Sequence, residues 1–213
     1  MTSTEVLAAV DTPNIVLVSG SLRVNSTSDR VARWCARQCA QQGAEARVFT
    51  GAELQFPFYR PGLSEQDGED GEIGGFVRAL GRADGLVLVS PTYHGTVSGL
   101  LKNALDYAND LVAPRAFLEG VPVGCVAVGA GAQGMASTLT TLRTIGHALR
   151  AWPTPLGVTA RDWADDGAAP TDGMTSEQRQ SRDRMAVMIS QVLSMAFVNA
   201  TASARQRLAG SRG

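Results

Sequence analysis

The chain has 213 residues, 19 Lys and Arg against 20 Asp and Glu, and a net charge of −1. That length fits one domain, residues 1–213, with a sizeable core. Balanced charge without a long basic block argues against nucleic acid or an anionic membrane surface as the main partner.

Residues 1–12 read as a flexible tail, since they lack the basic start and apolar core of a signal peptide. The first strand is Asn14–Ser19, apolar through Ile15-Val16-Leu17. Residues 29–42 form a helix with Val31, Trp34, Cys35 and Gln38 at helical spacing, ended by Gly43. A second strand covers residues 45–49, and the polar, Gly-containing stretch 60–71 reads as a loop. Then come a helix at 73–82, a strand at 85–90, a helix at 98–111, a strand at 121–128 and a helix at 135–149. A last short strand at 155–159 precedes a loop at 160–175 and a long helix at 176–207. No run reads as a membrane span. Strands such as Leu86-Val87-Leu88-Val89 are apolar on both faces, as in a parallel sheet covered by helices on both sides. The expected fold is α/β, a three-layer sandwich around a five-stranded parallel sheet.

In such sheets ligands bind beyond the carboxyl ends of the strands, where three loops fall. The first, residues 20–28, reads Gly-Ser-Leu-Arg-Val-Asn-Ser-Thr-Ser. Ser21, Ser26, Thr27 and Ser28 offer hydroxyls, Arg23 a planar cationic fork, and the helix behind them free N–H groups. Together they predict a phosphate cup, although Arg23 also reads as a surface charge. The second loop follows Ser90, where Pro91 blocks further strand pairing. Tyr93 reads either as core packing or as a flat face for a ligand, and Gly95 allows close backbone approach. The third, Gly129-Ala-Gly-Ala-Gln-Gly134, is nearly free of side chains and suits a broad planar ring. No Gly-Lys-Ser/Thr follows it, so it is not a P-loop, and its spacing departs from the dinucleotide fingerprint.

With Gly20-Ser-Leu-Arg-x-x-Ser26, Pro91-x-Tyr-x-Gly95 and Gly99-x-Leu-Lys-Asn-Ala-x-Asp106 in place, the chain resembles the NAD(P)H-dependent FMN reductase family of flavodoxin-like flavoproteins. That family includes quinone, azo and chromate reductases. The resemblance spans roughly residues 14–160. It implies FMN, with its phosphate on Ser21, Arg23, Ser26, Thr27 and Ser28. The ring would lie along Pro91, Thr92, Tyr93, His94, Gly95 and Thr96. Gly129, Ala130, Gly131 and Gln133 would close the other edge. NADPH or NADH would reduce the flavin by ping-pong hydride transfer, and a free flavin, quinone, azo or nitro compound would accept the electrons. A homodimer or homotetramer is implied, with a flavin-dependent monooxygenase as a partner. The alternatives are a biosynthetic flavoenzyme acting on one small molecule and a flavodoxin-like electron carrier. Near-neutral charge counts against the carrier.

Chemistry carried by the flavin leaves no residue that must be catalytic. His94 is a weak candidate acid, with a solvent-facing or ring-contacting role as the default. Lys102, Asp106 and His147 read as structural, and Trp163 as a substrate wall or partner contact. Cys35, Cys39 and Cys125 lack disulfide spacing and read as small buried hydrophobes in a reducing cytoplasm. His94 and His147 are the only histidines and lie far from the cysteines, so no metal is expected.

Overall fold

Apolar side chains alternate along each central strand and divide between two cores. On β1 (Asn14–Ser19), Val16 and Val18 face one layer of helices while Ile15 and Leu17 face the other. A computed structural model describes residues 12–113, 115–161, 163 and 174–210 of the chain. The expected tail up to residue 11 and most of the expected loop, residues 164–173, lie outside the described residues.

The elements follow as α1 (Thr27–Gln41), β2 (Glu45–Phe49), a 3₁₀ turn (Gly51–Leu54), α2 (Leu63–Asp67), α3 (Glu72–Arg82) and β3 (Gly85–Pro91). Next are α4 (Gly99–Asp106), a 3₁₀ turn (Tyr107–Asp110), β4 (Pro122–Val128), α5 (Ala132–Ala148), β5 (Trp152–Pro153), β6 (Val158–Ala160) and α6 (Ser176–Gly210). All strand pairs are parallel, in the order β2-β1-β3-β4, with β5 and β6 both pairing the far side of β4. Phe76, Leu101 and Leu142 of α3, α4 and α5 cover one face. Trp34 and Cys35 of α1, with Met188 and Val192 of α6, cover the other.

Four expectations need correction. The stretch 60–71 is not all loop, because α2 occupies its centre. The helix after β3 is α-helical only to Asp106 and then tightens to 3₁₀. The helix after β4 begins at Ala132, so Ala132, Gln133 and Gly134 belong to its first turn and not to a loop. The last strand is two short pieces, not one run at 155–159. Pro153 and Pro155 bring no N–H to the ladder, and side chains take the backbone groups at the break. Gln191 accepts from the Leu156 N–H at 3.1 Å, Arg143 donates to the Thr154 carbonyl at 2.6 Å, and the Thr154 hydroxyl donates to the Leu156 carbonyl at 2.8 Å.

Residues Ser176–Ala202 are long and apolar enough to cross a membrane by length and composition, which the sequence reading missed. Met185, Met188, Ile189, Val192, Leu193 and Ala196 are nevertheless buried against the sheet, so the apolar side of α6 is core. All three cysteines are buried and unpaired in disulfides. Burial pushes the Cys39 and Cys125 thiols up to about 12, and the Cys35 thiol also upward.

Candidate functional site

The chain leaves β1 toward β2 on one side, while β3 lies on the other. This reversal opens a crevice at the carboxyl ends of β1 and β3. A cavity of ≈ 290 Å³ lies there. Ser21, Arg23, Ser26, Thr27 and Ser28 line one side of it. Pro91, Thr92 and Tyr93 line a second, and Val128, Gly129 and Ala130 a third. Three loops far apart in sequence therefore meet at one site, and Val128 is an addition to the residues read from the sequence. His94, Gly95, Thr96, Gly131 and Gln133 are not part of this lining.

The first loop is built around the start of α1. Ser26 is the N-cap, and its hydroxyl accepts from the Asp29 N–H at 3.1 Å. Helix geometry leaves the N–H groups of Thr27 and Ser28 without intrahelical acceptors, so they remain available to an anion. Ser21, Ser26 and Ser28 are nearly fully buried. The Ser21 hydroxyl accepts from the Arg23 N–H at 3.3 Å, while the Arg23 side chain is exposed. A Cβ on Gly51 would stand 2.0 Å from the Ser21 carbonyl oxygen, so the turn after β2 presses directly on this loop.

Sequence reasoning missed the braces behind the cup. The Ser19 hydroxyl donates to Asp29 Oδ1 at 2.6 Å, fixing the end of β1 to the first turn of α1, and both groups are buried. The Ser98 hydroxyl donates to the Gly20 carbonyl at 2.6 Å and accepts from the Leu101 N–H at 3.2 Å, so one side chain caps α4 and holds the loop. The Arg30 guanidinium donates to the Asn25 carbonyl at 3.0 Å, to Thr27 Oγ1 at 3.3 Å and to the Trp163 carbonyl at 2.8 Å. Only the Ser98 cap carried a sequence signal, a serine just ahead of an apolar helix. The other contacts join residues whose meeting depends on the fold.

The second loop is a tight hairpin. Tyr93 and Thr96 exchange N–H···O bonds at 3.1 Å in both directions. His94 has φ +52° and Gly95 φ +78°, the pattern of a type I′ turn. His94 sits exposed at its tip. Tyr93 is 50% exposed, so it is not core. The Thr92 N–H donates to the Val128 carbonyl at 2.7 Å, tying this loop to the third. Thr92 Oγ1 is buried beside the cavity with no hydrogen-bond partner. An orphan of that kind fits a polar ligand atom, and with the hydroxyls, N–H groups and Arg23 it makes the residues present suit a phosphorylated ring ligand such as FMN.

Asn103, part of the third sequence motif, faces away from this chemistry. Its amide donates to the Phe56 and Pro57 carbonyls and accepts from the Tyr59 N–H, bracing the loop after the first 3₁₀ turn. Tyr59 and Ser64 both bond the Asp110 carboxylate. Burial and the Asp110 charge push the Tyr59 hydroxyl upward. Lys102 pairs with Asp106, as the spacing suggests. His147 is exposed in the last turn of α5. Trp163 is not a substrate wall: it is 1% exposed and packs edge-on against Trp34 at 5.5 Å. A larger hollow of ≈ 380 Å³, lined by Asn14, Arg47 and Arg78 among others, lies at the opposite, amino-terminal edge of the sheet. Among the described residues no cluster of His, Cys, Asp or Glu could hold a metal ion.

The sequence pattern of the family described as NADPH-dependent FMN reductase matches residues 13–165. An FMN-dependent NADPH-azoreductase of Staphylococcus aureus is 30% identical over 192 residues, covering 86% of this chain and 94% of the relative. Among solved structures, the flavoenzyme NAD(P)H:(acceptor) oxidoreductase FerB of Paracoccus denitrificans superposes with a TM-score of 0.66 at 15% identity, covering 86% of this chain and 99% of that one. The apo form of the NADH:FMN oxidoreductase EMOB gives 0.63 at 20% identity, covering 85% and 88%. The two structures carry the fold, which is flavodoxin-like.

Proposed function

The chain belongs to the NADPH-dependent FMN reductase family and is an FMN-dependent NAD(P)H oxidoreductase; from that premise we propose that FMN occupies the cavity where the three loops meet. Ser21, Arg23, Ser26, Thr27 and Ser28 would hold its phosphate, and Pro91, Thr92, Tyr93, Gly129 and Ala130 would hold its ring. The observation that carries this reading is the convergence of buried hydroxyls, free helix N–H groups and Arg23 on one side of a cavity whose other sides are almost free of charge. FMN held there would supply the redox chemistry of a ping-pong hydride transfer from NAD(P)H to an acceptor.

The protein's own part is binding and orientation. The first turn of α1 and Arg23 hold the dianionic end, since N–H groups at a helix start and a guanidinium fork both match phosphate oxygens. Pro91, Thr92 and Tyr93 form an edge for the ring, with the Thr92 hydroxyl free to meet a ring heteroatom. Gly129 and Ala130 let a planar group lie close to the backbone. Tyr93 stays half exposed, which leaves an open side for nicotinamide and acceptor in turn. His94 stands outside the lining as a candidate acid.

Acceptors in this reading are small, flat oxidants: azo compounds first, given the azoreductase likeness, then quinones, nitro compounds and free flavin. A flavin-dependent monooxygenase is the partner that would use reduced flavin. Self-association as a dimer or tetramer is part of the same proposal. Buried, unpaired cysteines suit a reducing cytoplasm. The test is to load the purified protein with FMN and riboflavin, and then follow flavin bleaching by NADPH and by NADH in stopped flow. Rapid bleaching followed by reoxidation with an azo dye is the expected result. A protein that binds both flavins equally has no phosphate cup, and one that nicotinamides reduce only slowly is a carrier.

A further inference from the structure

We propose that Arg30 is a positioning residue for phosphate recognition, a strut that sets the cup against the strand carrying the opposite side of the cavity. This rests on the placement of the FMN phosphate above. Arg30 does not line the cavity. Its guanidinium instead bonds three oxygens behind it. Two belong to the cup loop, the Asn25 carbonyl and Thr27 Oγ1, and the third is the Trp163 carbonyl, 133 positions away in sequence.

Each end of the strut has an independent reason to need it. At the cup end, Asn25 has φ +52°, a left-handed conformation that costs an L-residue free energy unless its surroundings impose it. Arg30 holds the Asn25 carbonyl, and Arg33 reaches Asn25 Oδ1 at 3.4 Å. The same guanidinium occupies a lone pair of the Thr27 hydroxyl. A hydroxyl whose acceptor side is taken has its own O–H left to donate, and Thr27 lines the cavity. Arg30 therefore turns Thr27 into a donor for an anion.

At the far end, Trp163 cannot yield. It is fully buried against Trp34. It follows β6, whose Ala160 carbonyl accepts from the Gly129 N–H at 3.2 Å. Gly129 lines the cavity opposite the cup. The two sides are thus connected through Arg30, Trp163, β6 and Gly129. A guanidinium can span diverging oxygens in one plane, whereas an ammonium is a single point.

The experiment titrates FMN and riboflavin against apoprotein of the wild type, Arg30→Gln, Arg30→Lys and Arg23→Ala, and measures amide exchange across residues 22–28. Arg30→Gln is expected to weaken FMN on the order of tenfold, leave riboflavin within about twofold, and speed amide exchange in the cup. Arg30→Lys should recover part of the loss, and it carries the test if the Gln variant fails to fold. Equal losses for the two flavins in the Arg30 variants, or unchanged FMN binding, would overturn the strut. If Arg23→Ala weakens FMN while the Arg30 variants do not, the cup stands and only the strut falls. If Arg23→Ala is also silent, the phosphate placement itself is wrong.

Discussion

The cup and the hairpin line two sides of one cavity and are built in opposite ways. Around the cup, Ser19, Ser21, Ser26, Ser28 and Asp29 are nearly fully buried; Arg30 and Ser98 side chains hold its backbone carbonyls, and the Asp29 carboxylate accepts from the Ser19 hydroxyl. The hairpin tip is held by two backbone bonds and two left-handed residues, with Tyr93 and His94 in the open. The difference follows from the ligand each side is proposed to meet. A phosphate carries charge, and N–H and O–H donors favour it only if they are already aimed, because ordering them on binding would cost free energy. A flat ring asks only for a shaped edge, and an enzyme that exchanges nicotinamide and acceptor needs that edge accessible.

Packing gives the sharpest way to break this contrast. Gly51→Ala would drive a Cβ into the Ser21 carbonyl, with backbone on both sides of the clash. We expect a stability loss of about 3 kcal/mol, the upper end for overpacking, together with weaker FMN binding. Gly131→Ala, at the start of α5 and outside the cavity lining, meets nothing within 4 Å and should stay within roughly 0.5 kcal/mol of wild type. Thermal melts of both variants check the pair, and similar losses would erase the distinction.

Arg23 probes charge and leaves packing alone. Its exposed side chain makes no intramolecular hydrogen bond among the described residues, so Arg23→Ala should leave apoprotein stability nearly unchanged. FMN should weaken by roughly 1.5–3 kcal/mol, the value of a hydrogen bond to a charged group. Arg23→Lys should recover part, since an ammonium lacks the fork. Riboflavin, having no phosphate, should bind all three proteins alike. Paired titrations of the two flavins measure the difference directly.

The two sides also differed in how far the sequence revealed them. The hydroxyl run after Ile15-Val16-Leu17 announced the cup, because strand, anion donors and helix are contiguous there. Its braces were invisible: Arg30 meets Trp163, and Ser98 meets Gly20, only after β6 and α4 are in place. The third loop was read too long because Gly131 and Gly134 look like loop residues, yet the second lies inside the first turn of α5. The broken last strand was read as one run for a similar reason. Its two halves are joined by Gln191 and Arg143, which no local pattern connects to residues 152–160. The apolar stripe of α6 is taken by the sheet. The three layers and the alternation of strands with helices were legible, since they depend on period and length.

Ser98 offers a smaller effect shared between stability and site. Ser98→Ala removes the α4 cap and the bond to the Gly20 carbonyl. The cap alone is worth about 1 kcal/mol. Ser98→Thr keeps a hydroxyl and should recover most of the loss. Melting temperatures with and without FMN separate the two contributions: a larger deficit in the loaded protein would show that the cup loop has loosened as well as the helix end.

The smallest effect is expected at His94, and there the two ways of building come into direct opposition. If the hairpin tip works by shape, His94 is there because His, like Asn, tolerates a left-handed backbone better than most side chains. His94→Asn should then match wild type or gain a few tenths of a kcal/mol, because Asn-Gly is the preferred pair for this turn. A β-branched residue such as His94→Val should lose about 1–2 kcal/mol through backbone strain. Turnover should follow this order and not the presence of an imidazole. If His94 instead gives a proton to the acceptor, the Asn variant would fold well yet turn over slowly. Its loss would be confined to the acceptor half-reaction. Stopped-flow reduction by NADPH and reoxidation by an azo dye, run on wild type and His94→Asn across pH, distinguish a turn from an acid. Retained reoxidation in the Asn variant is the result expected from an exposed tip outside the cavity lining.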